Sequence, residues 1–148
     1  MLATRTVPLA GAARPLSTSL ADSDAAIALI RAMYDAFGRG DLLDVFSTLA
    51  QDVVIEQTPE LPWGGSYQGL EGAREFFLRL LQHIDSRVEV QEVFAAGSRV
   101  VVMARTRGLA RATGTAFDIR AVHVFEVRRG KVSRLETYVD TPAMRAVL

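Results

Sequence analysis

The sequence predicts an α+β domain in which helices come first and a curved antiparallel sheet follows. Three observations predict it. Apolar residues recur at spacings of three and four in most of the chain up to Ile84, the helical period. From Val88 onward the period switches to two, the strand period. Turn signals at Gly97-Ser98, Thr113-Gly114-Thr115 and Arg129-Gly130-Lys131 then divide the second half into hairpin-linked segments. Segregated helices and strands of this kind are the mark of α+β folds.

Each element has its own local cause. Asp22-Ser23-Asp24 offers N-cap residues and negative charge for a first helix. Ile27, Ile30, Tyr34 and Phe37 fall on one face of it, and Gly38 and Gly40 stop it. Asp41 can cap a short second helix with Leu42, Val45, Phe46 and Leu49 inward. Val53-Val54-Ile55 is β-branched and reads as a strand. Thr58 to Gly65 is a loop by composition. Phe76, Phe77, Leu80, Leu81 and Ile84 give a third helix between Gly69 and Ile84. Strands follow through Val88 and Val90, through Val100 to Arg107, through Phe117 to Val127, and through Val132 to Val139. Three helices on the concave side of such a sheet make a cone with one open end, a natural ligand site.

Composition narrows the function. The 148 residues fit one domain, with residues 22–148 as its body. Seventeen basic residues balance seventeen acidic ones, so no excess charge is available to neutralise nucleic-acid phosphates. Cysteine is absent and only His83 and His123 are present, so no metal site and no thiol chemistry are expected. No apolar run approaches the roughly 18 residues that span a bilayer, so no membrane partner is expected. Residues 1–21 are small, apolar and hydroxyl-rich, with Arg5 and Arg14 and no acid. That has the flavour of a transit peptide, but it is read here as a flexible N-terminal tail. Pro8, Gly11, Arg14 and Pro15 break up any secretory core, and a cytoplasmic location is expected.

Four phrases carry a family resemblance. They are Tyr34-Asp35-Ala36-Phe37-Gly38-Arg39-Gly40-Asp41, Asp52-Val53-Val54-Ile55-Glu56, Leu61-Pro62-Trp63-Gly64-Gly65-Ser66-Tyr67-Gln68-Gly69, and His123 through Val132 followed by Tyr138-Val139-Asp140-Thr141. Together with the order of elements they resemble the SnoaL-like and ketosteroid-isomerase-like members of the nuclear transport factor 2-like superfamily. The resemblance implies a cystatin-like α+β barrel: a curved antiparallel sheet wrapped around three N-terminal helices, with an internal pocket. It also implies a homodimer. In the matching register His123 falls where ketosteroid isomerases place an acidic hydrogen-bond donor. Their base position matches Gln57, which cannot abstract a proton. Their helix-one tyrosine matches Met33, with Tyr34 adjacent. The last-strand carboxylate of cyclase-like members is replaced by Leu135 or Thr137.

Strand parity selects the pocket lining. Phe117, Ile119, Ala121, His123 and Phe125 share one face, opposite Asp118 and Arg120. Ile55 shares a face with Gln57, Thr106 with Val102 and Ala104, and Thr137 with Leu135 and Val139. The helices add Met33, Tyr34, Phe37 and Phe77, and Trp63 and Tyr67 fall near the mouth. Glu136 points out by parity, and a one-residue bulge would turn it inward. Asp140, at the strand end, could reach the rim.

His123 is the candidate catalytic residue, as general acid/base or as donor to an enolate oxygen. Gln57 and Tyr34 would orient the substrate. The expected function is an enzyme for an apolar carbonyl compound, polyketide- or terpenoid-like. Cyclisation, isomerisation or dehydration would proceed there with no cofactor. The alternative is a non-catalytic ligand-binding or dimeric assembly domain of the same fold.

Overall fold

In the computed structural model, which describes residues 20–148, helix α1 (Leu20–Gly38) starts two residues ahead of the expected Asp22. The tail expected over 1–21 otherwise lies outside the described residues. Ile30, Met33 and Ala36, spaced by three, bury the inner face of α1. Asp41 caps α2 (Leu42–Ser47) by accepting from the Asp44 N–H at 3.1 Å. Leu49, expected on the second helix, instead opens β1 (Leu49–Gln57), where it pairs with Val132.

The expected loop closes into a short strand, β2 (Gly65–Gln68), antiparallel to β1. Its approach is tight. A Cβ on Gly64 would sit 1.9 Å from the Thr58 carbonyl oxygen and 2.7 Å from the Pro59 Cα. The Tyr67 hydroxyl lies 3.0 Å from the Trp63 carbonyl and 3.1 Å from that of Gly64, tying the loop back on itself. Helix α3 (Gly69–His83) then buries Ala73, Phe76 and Phe77.

The long strands are β3 (Ile84–Ala96), β4 (Arg99–Ala110), β5 (Ala116–Arg128) and β6 (Lys131–Val139). The sheet order is β2-β1-β6-β5-β4-β3, curved and unclosed, with β2 and β3 as its edges. One pair departs from the antiparallel expectation: β1 runs parallel to β6, with Ile55 opposite Leu135 and Gln57 opposite Thr137. No short turn can join parallel strands, and these partners lie far apart in the chain. A further helix, α4 (Thr141–Val147), was not expected. Asp140 caps it by accepting from the Ala143 N–H at 3.2 Å, and Pro142 sits in its first turn.

The inward residues of the sheet and helices form one core. Val53, Ile55, Val102 and Phe125 have no exposed surface in it. The outer face is charged and paired. Arg105 meets Asp118 at 2.6 Å, and Arg107 meets Glu89 at 2.9 Å and Asp118 at 3.2 Å. The hydrogen bond from Arg105 is the largest cause holding the Asp118 carboxyl below its ordinary range. These pairs are exposed, so each is worth little in stability.

The crowding at Gly64 generates a test. Gly64→Ala is expected to cost about 1–3 kcal/mol, because the added methyl meets backbone rather than a movable side chain. Gly38→Ala, where a Cβ meets nothing within 4 Å, is the control and is expected to change stability by less than about 0.5 kcal/mol. Urea unfolding of both variants checks this; equal stabilities would contradict it.

Candidate functional site

Between the concave face of the sheet and helices α1, α3 and α4 lies a cavity of about 80 Å³. One ordered water needs roughly 10–15 Å³ of such space, so the cavity is real room and not a packing flaw. Its wall is apolar apart from Tyr34, Gln57, Ser86, Thr106, His123 and Thr137. No Asp, Glu, Lys or Arg among the described residues lines it.

The polar groups are ordered by sheet register. Gln57 on β1 lies opposite Thr137 on β6, and Thr137 lies opposite His123 on β5. All three therefore stand on the inner face, one strand apart, which is about 4.8 Å. The Thr137 hydroxyl donates to the Gln57 Oε1 in a short hydrogen bond and also lies 3.2 Å from the Glu56 carbonyl. Gln57 is 6% exposed, and its Nε2 has no hydrogen-bond partner among the described residues.

Helix α1 supplies the fourth member. The Tyr34 hydroxyl and His123 Nδ1 lie 2.5 Å apart, the one hydrogen bond of either group among the described residues; a phenol is the better donor and a neutral imidazole nitrogen the better acceptor, so the hydroxyl donates. The two rings stack, 5.9 Å between centroids and 8° apart in plane. Phe125 meets both edge-on, at 6.0 Å from Tyr34 and 6.3 Å from His123. This apolar setting fixes the charge states. Burial lowers the His123 pKa to about 4 and pushes the Tyr34 pKa up. Both groups are neutral at pH 7. The site can therefore offer hydrogen-bond donors to an uncharged ligand and supplies no fixed charge.

Of the residues expected at the pocket, His123, Gln57, Tyr34, Met33 and Phe37 line the cavity, as do Trp63, Phe77, Thr106 and Thr137. Six others do not. Ile55 is on the inner face but packs solidly in the core beneath α3. Phe117 and Ile119 share the His123 face, four to six residues nearer the start of β5, where α4 packs against that strand. Tyr67 spends its hydroxyl on the loop carbonyls and packs its ring on Phe76. Glu136 points outward, bonded by Arg134 at 2.9 Å and Tyr138 at 2.7 Å, because no bulge falls at its position. Asp140 is the α4 cap. The candidate list also missed lining residues. Phe125, Leu135 and Val139 were legible by parity, whereas Met144 comes from the unexpected α4. Phe76 and Leu80 carry the helical spacing of α3, whereas Ile84, expected to end that helix, is extended and opens β3. Among the described residues no three His, Cys, Asp or Glu are grouped to hold a metal ion, and no helix is long and apolar enough to cross a membrane.

The depressed His123 pKa predicts a pH dependence. The unfolded chain takes up the imidazole proton near pH 6.5, and the folded one only near pH 4. Stability is then full above pH 6.5 and falls between 6.5 and 4, by on the order of 3 kcal/mol. Denaturant unfolding at pH 7 and at pH 5 should show about 2 kcal/mol of this loss in the wild type and little of it in His123→Phe. Equal slopes in both proteins would contradict the assignment.

Comparison with known proteins agrees with this architecture. Residues 30–135 match the family model of the SnoaL-like domain. An NTF2-like protein of unknown function from Burkholderia pseudomallei K96243 is 28% identical, with a TM-score of 0.78 over 83% of this chain and 96% of that one. TerC, co-crystallised with polyporic acid, is 27% identical, with a TM-score of 0.77 over 83% of this chain and 97% of that one. A proposed polyketide cyclase from Xanthomonas campestris pv. campestris shares the fold at 24% identity, with a TM-score of 0.75 over 84% of this chain and 97% of that one. No curated protein matches the chain in sequence. The match over most of the described chain, on a sheet and helix order that its relatives share, means that this protein belongs to the SnoaL-like domain family.

Proposed function

We propose that the protein is a small-molecule enzyme for an apolar carbonyl compound, polyketide- or terpenoid-like. It would act by cofactor-independent cyclisation, isomerisation or dehydration. One observation carries this reading: the Tyr34–His123 pair, the two titratable groups of the cavity, bonded to each other in apolar surroundings. A carbonyl oxygen beside His123 would accept from the imidazole. A neutral imidazole stabilises the negative charge that develops there as an enolate forms. His123 is then the donor to the enolate oxygen, the α-carbon proton passes to water because no carboxylate among the described residues lines the cavity, and Tyr34 and Gln57 orient the substrate. TerC, which was co-crystallised with polyporic acid, supports an organic ligand of this kind.

The volume restricts what enters. At about 80 Å³ the cavity is smaller than the roughly 150 Å³ apolar cavity known to take benzene. A larger substrate must displace side chains of the wall, among which Met33, Phe37 and Phe77 are bulky and apolar. A second reading, a non-catalytic ligand-binding domain, is favoured by that narrowness and by the lack of any carboxylate on the wall.

Melting curves with a panel of apolar carbonyl compounds separate the two readings. A ligand at one hundred times its Kd adds about 2.7 kcal/mol, a shift of several degrees in a domain of this size. A stabilising compound should then be turned over, and His123→Phe should lower that rate at least about 100-fold. Stabilising compounds that the wild type never converts would establish the binding reading in its place.

A further inference from the structure

We infer that Gln57 and His123 form a two-donor clamp for a single uncharged carbonyl oxygen, and that Tyr34 sets the clamp by occupying one nitrogen of the imidazole. The inference rests on the reading that the cavity takes a carbonyl compound, and it specifies how the oxygen is recognised.

The Gln57 amide is half used. Its Oε1 is taken by the Thr137 hydroxyl, and its Nε2 is buried with no partner. A buried N–H without an acceptor is costly, and most proteins avoid it. Here it belongs to a residue that lines the cavity, and although Nε2 itself has no open surface, a turn of the amide end would bring it to a ligand oxygen there. The imidazole is half used in the same way. Nδ1 accepts from Tyr34, and a neutral imidazole carries one N–H, which is therefore on Nε2. Gln57 and His123 flank Thr137 on neighbouring strands of a concave face, so their free donors serve the same part of the cavity.

The wall sets the charge of the ligand. With no cation lining the cavity, a carboxylate would enter without a counter-ion, and with no anion an ammonium would do the same. An uncharged acceptor meets neither cost. Tyr34 is a positioning residue in this scheme: it touches the imidazole and acts through it.

Affinities for acetone and for isobutene, which has the same shape and no acceptor, test the clamp. Both are measured by NMR titration on wild type, Gln57→Leu and Gln57→Met. The ketone-to-hydrocarbon affinity ratio should fall about tenfold in either variant, the worth of one hydrogen bond. The two variants together guard against a single misfolded protein. In Tyr34→Phe the imidazole ¹⁵N spectrum should change from an Nε2–H form to a mixture of tautomers, and the ratio should fall as well. A ratio unchanged in both Gln57 variants overturns the clamp, as does an Nδ1–H imidazole in the wild type. Tighter binding of acetate than of the ketone, or failure of both neutral probes to bind, overturns it too. The outcomes separate from those of the enzyme reading. If the ratio falls but no carbonyl compound is converted, the clamp stands and catalysis fails. If conversion occurs and the ratio is unchanged, catalysis stands and the clamp fails.

Discussion

Two ionisable side chains can share an apolar cavity only if neither carries charge and each has a partner. Tyr34 and His123 meet both conditions through one hydrogen bond. Much of the architecture serves to bring them together. Helix α1 is anchored to the core by Ile30, Met33 and Ala36, and this lays Tyr34 across the middle of the long strand β5. Phe125 braces both rings from the next inward position of the same strand. The parallel pairing of β1 with β6 then sets Gln57 two strands from His123, with Thr137 between them. If β1 paired elsewhere, the amide and the imidazole would face different regions.

The same arrangement has an energetic cost. The unpartnered Gln57 Nε2 and the half-buried imidazole are both unfavourable, by magnitudes of a few kcal/mol at most. A domain held by a net stability of roughly 5–15 kcal/mol can tolerate that. An all-apolar wall of the same shape would be more stable and could not hold an oxygen. The wall also departs from what the family resemblance implied for an acid–base site. Gln57 stands at the base position, and the last strand presents Leu135 and Thr137 to the interior. Tyr34 and His123 are therefore the titratable groups of the wall among the described residues.

Much of this was legible in the sequence because strand and helix periods are strong signals. The alternation from Phe117 to Phe125 put His123 inside, and that of β1 and β6 put Gln57 and Thr137 on the same side. Parity reports a face but not a depth. Ile55, Phe117 and Ile119 were placed on the correct face, yet they lie where α3 and α4 leave no room. The parallel β1–β6 pair was beyond reach, since nothing local records a pairing between residues some eighty positions apart. Helix α4 was within reach. Asp140-Thr141-Pro142 is a capping residue followed by a first-turn proline, and Met144 follows on the inner side. Glu136 stayed outside because the β5–β6 irregularity places its extra residue at Ser133, and the alternation from Arg134 to Val139 runs on unbroken beyond it.

The account turns on His123 being neutral and shielded within the cavity. Its ring carbon and nitrogen resonances, followed by NMR between pH 3.5 and pH 8 on the wild-type protein, test this most directly. The account predicts that they stay constant down to about pH 5 and titrate with a midpoint near 4. A midpoint near the ordinary 6.5 would place the imidazole in water and contradict the charge state assigned to the site.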